Sequence, residues 1–305
     1  MDNLTHSLAG ALIGQAGLKR RTGLAMPALI IGANVPDIDA TCMLLGDMQH
    51  LALRRGITHG PIAWVLLPLA LAGALWWFDQ WQGQRGKRPV GRLPVSFGWL
   101  YALSFIACLT HPALDWMNSY GIRLLEPFSS RWFYGDVLFI IDVWLWLGMG
   151  FATWLSRRRE KRGGEWRRPA RVAIGAALAY IGLNAAITAQ AEDRLGEDGN
   201  TGEAIAGPLP VAFWRRELIL GKGDGYWLAD GRQVGDLPLA RCRLEAARRQ
   251  IPALEAYLFW ARAPFLSQQS DGSLLLGDAR FAGDLSGGRF TVRVPADFCP
   301  ELQAN

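Results

Sequence analysis

Long apolar runs alternate with short polar stretches over residues 1 to about 190, whereas 191–305 reads as ordinary soluble sequence. A helix needs ~20 mostly apolar residues to cross a bilayer. Four runs meet that length: 61–79, 96–114, 136–155 and 169–189. Two weaker segments, 4–18 and 23–38, precede them, the second carrying Pro27 and Asn34. These two are expected to be tilted or partly embedded helices. No basic stretch precedes the first apolar run, so no cleavable signal peptide is expected. Beyond the runs, 191–210 is rich in Gly, Glu, Asp and Pro and reads as a linker or loop. After it, 213–220, 225–229, 254–261, 273–276 and 289–294 read as strands, and 241–250 as a short helix. The pattern predicts a mainly α protein: a polytopic helical membrane bundle over 1–190, and a small β-rich or α+β extracytoplasmic domain over 191–305.

Charge orients the bundle. Residues 1–190 carry net +8 (19 Lys and Arg against 11 Asp and Glu), and 191–305 carry −3 (13 against 16). Fifteen of those 19 basic residues fall in three short stretches: 19–21, the loop around 80–95, and 156–171. Short basic loops beside spans mark the cytoplasmic side. The excess is therefore a topology signal and not a nucleic-acid surface. With these loops inside, the amino terminus and the carboxy-terminal domain face out, which makes this a multi-pass protein of the inner (plasma) membrane. Trp76, Trp77, Trp81, Trp99 and Trp154 then lie near the inner boundary, and Trp116 and Trp132 near the outer one, as interfacial belts do. Cys242 and Cys299 lie in the outer part, where oxidation is possible; the sequence leaves their pairing open.

That frame gathers the polar chemistry on one face. Three of the four histidines follow a threonine: Thr5-His6, Thr58-His59 and Thr110-His111. The chain holds only nine threonines, so chance is a poor explanation. His6, Asp37, Asp39, His59, His111 and Asp115 all fall at the outer ends of their segments. Histidine and carboxylate suit zinc, with manganese as the alternative. His111 and Asp115 are four apart, so they share one face of a helix. Pro112 between them suggests a helix that restarts or kinks at Thr110. Asp37 and Asp39 follow Pro36 in 34–39, which reads as an extended turn pointing both carboxylates one way. Asp142 sits inside Leu138-Phe139-Ile140-Ile141-Asp142-Val143-Trp144, where a carboxylate by default marks a functional interior. It is expected to ligate the metal, to hold a ligand histidine in place, or to pair with Arg54, Arg55 or Arg123, and it or an unligated Asp is the expected general base. Each motif alone also has a plainer reading, as a cap, a turn or a core histidine. His50 lacks this context and reads as a surface residue.

Taken together, Thr5-His6-Ser7, Asn34-Val35-Pro36-Asp37-Ile38-Asp39, Arg55-Gly56-Ile57-Thr58-His59, His111-Pro112-Ala113-Leu114-Asp115-Trp116-Met117-Asn118, Gly121-Ile122-Arg123 and Phe139-Ile140-Ile141-Asp142 resemble the YdjM-type family of bacterial membrane-bound metal-dependent hydrolases. The resemblance covers about 1–190 and extends distantly to zinc-dependent phospholipase C, whose metals are held by His and Asp. Gly60 stands where a serine is usual, and Arg54 where the family often has histidine. The resemblance implies metal-dependent hydrolysis. The expected function is hydrolysis at the outer membrane face, on an ester or phosphoester of a lipid or lipid-linked substrate. His6, Asp37, Asp39, His59, His111 and Asp115 would hold a divalent metal, with Asp115 and Asp142 in catalytic roles. The competing classes are a non-catalytic membrane scaffold with a structural metal, and an ion- or proton-coupled transporter. Partners are membrane lipid and a lipid-like substrate, not nucleic acid.

Overall fold

In the computed structural model of the chain, residues 1–197, 203–223, 225–283 and 290–300 are described. They form two compact units. The first comprises Met1–Asp39, Arg55–Ala185 and Pro210–Phe213; the second comprises Ala40–Arg54, Ala186–Leu209 and Trp214–Asn305.

The helices in chain order are α1 (Asn3–Gln15), α2 (Ala25–Gly32), α3 (Asp47–Leu53), α4 (Pro61–Gln84), α5 (Phe97–Trp116), α6 (Val143–Lys161), α7 (Arg167–Glu197), α8 (Leu244–Gln250) and α9 (Pro252–Trp260). Three of them, α4, α5 and α7, are long and apolar enough to cross a membrane. The pair Ala25–Gly32 and Val35–Leu45 counts as a fourth if it is one broken span. In the first unit, α1 packs on α2, α5 and α6, and α2 packs on α4 and α5. Ala28, Leu29, Ala72, Leu100, Leu103 and Ala107 bury one core. Leu12, Leu138, Leu145, Met149, Ala152 and Ala170 bury another. Gly10 lets α1 and α2 touch through their backbones: a Cβ there would lie 2.4 Å from the Leu29 carbonyl oxygen.

Several expectations are corrected. The run 136–155 is not one helix. Its helix starts only at Val143, because Asp142 caps it. The apolar part ends before Arg157, leaving ~21 Å of helix at 1.5 Å per residue. α5 does not restart at Thr110 but runs unbroken through Pro112. The Thr110 hydroxyl donates to the Ala107 carbonyl at 2.7 Å, the kind of local adjustment that lets apolar helices carry a proline. Residues 34–39 are not extended: Val35–Leu45 is a 3₁₀ helix.

The second unit carries two antiparallel sheets. One runs β1 (Ala204–Pro208), β2 (Arg216–Lys222), β3 (Gly225–Leu228), β4 (Gln233–Val234); the other runs β5 (Pro264–Gln268), β6 (Leu274–Asp278), β7 (Thr291–Val294). Ile205, Ile219, Leu228, Val234, Ala263 and Ala279 form its core. The expected strand 254–261 is instead the helix α9. Pro252 opens it at a position where a missing N–H costs nothing. The expected linker is shorter than 191–210, since α7 reaches Glu197 and β1 begins at Ala204; 198–202 lie outside the described residues, as does Arg289 at the start of the last expected strand. Cys242 and Cys299 form a disulfide. Asp278 is buried in this unit. Burial alone would raise its carboxyl, but the Arg280 guanidinium, bonded to both of its oxygens at 2.8 Å, holds it below the usual carboxylate range.

Candidate metal centre

Four elements of the first unit bring the donors together. Asp2 caps α1, accepting from the Leu4 and Thr5 amides at 2.9 and 3.1 Å, which sets the first turn and with it His6. His59 ends a short 3₁₀ turn, Ile57–His59, just before α4. The Trp64 indole fixes that turn by donating to the His59 carbonyl at 2.7 Å. Gly60 is required here, because a Cβ would lie 2.0 Å from the Glu126 carbonyl oxygen. A serine at this position, usual in the resembled family, would force the 123–129 loop away.

Asp37, His59, His111 and Asp115 are all buried, and each offers a ligand atom within 4.8 Å of the others. His111 and Asp115 stack one turn apart on α5, with Nε2 and Oδ2 3.5 Å apart. His111 Nε2 lies 3.6 Å from Asp37 Oδ1 and 3.1 Å from His59 Nε2. The outer nitrogens of both rings are engaged. His111 Nδ1 donates to the Ala33 carbonyl at 2.7 Å. His59 Nδ1 faces the Asp39 carboxylate at 3.3 Å and the Thr58 hydroxyl at 3.0 Å. Burial pushes the His59 imidazole down to about 4, even against the pull of Asp39, so the ring is neutral at pH 7.

This arrangement is what a metal needs. With both Nδ1 atoms holding their protons, both Nε2 atoms carry lone pairs and face each other. Two lone pairs at 3.1 Å repel unless a cation lies between them. Nitrogens sharing one tetrahedral ion at ~2.0–2.1 Å stand roughly 3.3 Å apart, close to what is seen. Ligand histidines in metal sites donate their other N–H to a carbonyl or carboxylate, as these two do. His6 adds to the case. It is fully buried, neither ring nitrogen makes a hydrogen bond, and Nε2 lies 3.3 Å from Asp115 Oδ1. Its ring stacks on His111 with centroids 3.7 Å apart.

Asp39 stands apart from the ligand set, and the 3₁₀ helix explains why. At three residues per turn, a two-residue step rotates the side chain by ~240°, so Asp37 and Asp39 do not point the same way. Asp37 faces His111. Asp39 accepts instead from the Arg55 amide at 2.8 Å and the Thr58 hydroxyl at 2.9 Å, and orients His59.

Asp142 is not brought to the cluster. Its Oδ1 accepts from the Trp144 and Leu145 amides at 3.0 and 2.9 Å, and its Oδ2 from the Tyr180 hydroxyl at 2.9 Å. It is a helix cap, not a partner of Arg54, Arg55 or Arg123. Asp142→Ala is expected to lower stability by about 1 kcal/mol while leaving metal content at the wild-type level. Thermal unfolding and metal analysis of the same sample check both halves.

Sequence reasoning missed the role of Arg55. Its side chain is buried and forks onto Asp115, with Nη2 3.1 Å from Oδ1 and donating to it, and Nε 3.0 Å from Oδ2 as an ion pair without hydrogen-bond alignment. Nη1 donates to Asn118 Oδ1 at 2.9 Å and to the Gly121 carbonyl at 3.3 Å. The Met1 amino group also contacts Asp115. An arginine three residues before a Thr-His pair is the available signal, but the sequence points to it only as a candidate partner for Asp142 and as part of the motif shared with the resembled family.

Comparison with known proteins agrees with this picture. The family model described as YdjM inner membrane protein matches residues 1–191, and the chain belongs to that family. It is thus an inner-membrane protein with a buried group of Asp and His able to hold a metal ion. It is similar to the "Uncharacterized protein YfhP" of Bacillus subtilis (strain 168), 27% identical over 140 residues. That match covers 43% of this chain and 39% of the relative, so the chain spans well under half of the relative's length. No solved structure matches.

Proposed function

We propose that this chain is a metal-dependent hydrolase of the outer face of the inner membrane, acting on an ester or phosphoester of a lipid or lipid-linked substrate. The observation that carries the reading is the pair of buried imidazoles whose Nε2 atoms face each other at 3.1 Å beside two carboxylates. Asp37, His59, His111 and Asp115 hold the ion, zinc by donor type, and His6 completes the donor set. Such an ion lowers the pKa of a bound water and polarises a carbonyl or phosphoryl oxygen. The chain's own part is positioning: Asp39 fixes the tautomer of His59, the Ala33 carbonyl that of His111, and Arg55 the rotamer of Asp115. Ligands drawn from the ends of apolar helices favour a substrate that reaches them from the lipid. The outward orientation is supported by the basic loops at the other ends of those helices and by the disulfide, a bond that persists in oxidising compartments. Reporter fusions at residues 88 and 305 should give opposite signals, and equal signals would sink that orientation.

A second reading has one observation in its favour. All four donors are buried, and structural metal sites are closed whereas catalytic ones keep an open position. Hydrolysis of fluorogenic ester and phosphodiester lipids in mixed micelles separates the two. The hydrolase reading expects turnover that a chelator abolishes and added zinc or manganese restores. A structural clip expects no turnover with any metal, and loss of the fold on chelation.

A further inference from the structure

At the far end of α1 from His6, about 14 Å along the helix axis, four cations crowd one corner of the first unit. Lys19 Nζ lies 4.3 Å from the centre of the Trp166 indole, and the Arg20 and Arg167 guanidinium carbons each 5.3 Å from it. Arg171 joins them, its Nε donating to the Ala16 carbonyl at 3.0 Å. Gly17, with φ +133°, lies between and leaves the Arg167 and Arg171 side chains 3.6–3.7 Å from where a Cβ would be. The corner is built, not splayed. The Ser156 hydroxyl shares its one proton between the Trp166 carbonyl at 2.6 Å and Gln15 Oε1 at 3.1 Å, and Gln15 Oε1 also accepts from Lys19 at 3.0 Å; both Ser156 and Gln15 are buried. Glu160 pairs with Lys19. Glu165 is used at the start of α7, accepting from the Arg167 and Arg168 amides at 2.8 and 3.3 Å. Among the described residues, Arg20, Arg167 and Arg171 have no carboxylate partner. Cations gathered round one ring repel each other unless an anion enters.

An apolar groove of about 400 Å³ begins at the same corner. It lies between α6 and α7, with Leu155, Pro169 and Val172 at the corner end and Trp144 and Tyr180 at the other. Charge complementarity calls for a phosphate. The groove beside it calls for a hydrocarbon chain on the same molecule. We propose that this corner binds an anionic phospholipid, its phosphate among Arg20, Arg167 and Arg171 and one acyl chain along the α6–α7 groove. The site is separate from the metal centre and serves to anchor the bundle in anionic bilayer.

The test uses the full chain, purified in neutral detergent and followed by thermal unfolding. Phosphatidylglycerol should raise Tm in a concentration-dependent way, whereas phosphatidylcholine and glycerol 3-phosphate should not. In R167Q/R171Q the lipid concentration giving half the shift should rise roughly 30-fold, at ~1 kcal/mol per charge. Val172→Trp, which fills the groove and leaves every charge in place, should also raise it. If the double variant does not fold, R20Q on the exposed turn carries the test, with a rise of roughly 5-fold. An equal Tm shift from phosphatidylcholine would overturn the proposal. So would an equal shift from glycerol 3-phosphate alone, or variants that keep the wild-type midpoint.

Discussion

His111→Ala is expected to strip the protein of its metal: about one ion per chain in the wild type, background in the variant. The expectation rests on the number of tasks that ring performs. It supplies one of four buried donors, its Nδ1 is locked to the Ala33 carbonyl, and its face stacks on His6. Loss of a ligand should exceed the 10–100-fold that loss of an outer-shell partner costs in affinity. Asp39→Asn removes such a partner from His59 and should fall within that range. Metal analysis of detergent-purified protein reads both. His50→Ala is the control, because His50 contacts Cys42 and Arg54 in the second unit and lies outside the ligand set. Wild-type metal content in His111→Ala would remove the centre as assigned.

Arg55→Met should produce the largest loss of stability, about 3–5 kcal/mol in metal-free protein. The cost comes less from the lost attraction than from what is left behind, a fully buried Asp115 carboxylate without its guanidinium. Adding Asp115→Asn to the same chain removes that charge and should recover part of the loss, the buried Met1 amino group then lacking its carboxylate. Equilibrium unfolding in detergent of the two single variants and the double variant measures the coupling. A single variant as stable as the wild type would mean that the fork is not a structural pair.

These two residues mark how far the sequence could be read. His111 was legible because a four-residue step on an apolar helix, joined to the other Thr-His pairs by one topology, left few alternatives. The spans α4, α5 and α7 were legible for a related reason, since twenty apolar residues have little else to do. Arg55 was not. One of two adjacent arginines outside the basic loops gives no sign of which of several distant carboxylates it meets, and that choice is made by packing. Asp142 misled because a buried carboxylate can be satisfied by backbone amides as well as by a metal. A helix starting one residue later is invisible in an unbroken apolar run. Asp37 and Asp39 were read on the wrong geometry: the bias of a residue before proline against helical backbone is overridden at Val35, which already belongs to the 3₁₀ helix that carries both carboxylates. For 254–261, a short apolar run does not distinguish helix from strand, and Pro252 was the overlooked arbiter.

The Arg55 fork has a consequence for how the protein is made. The last two candidate donors, His111 and Asp115, leave the ribosome some fifty residues after His59. The centre therefore cannot be assembled until α5 is in place. When Asp115 arrives, a guanidinium from its own chain is already waiting to neutralise it, so the carboxylate can be buried before any ion is present. Insertion into the bilayer is thereby uncoupled from metal supply. On the proposed reading of the site, the chain reaches its membrane stably folded without an ion and is loaded afterwards.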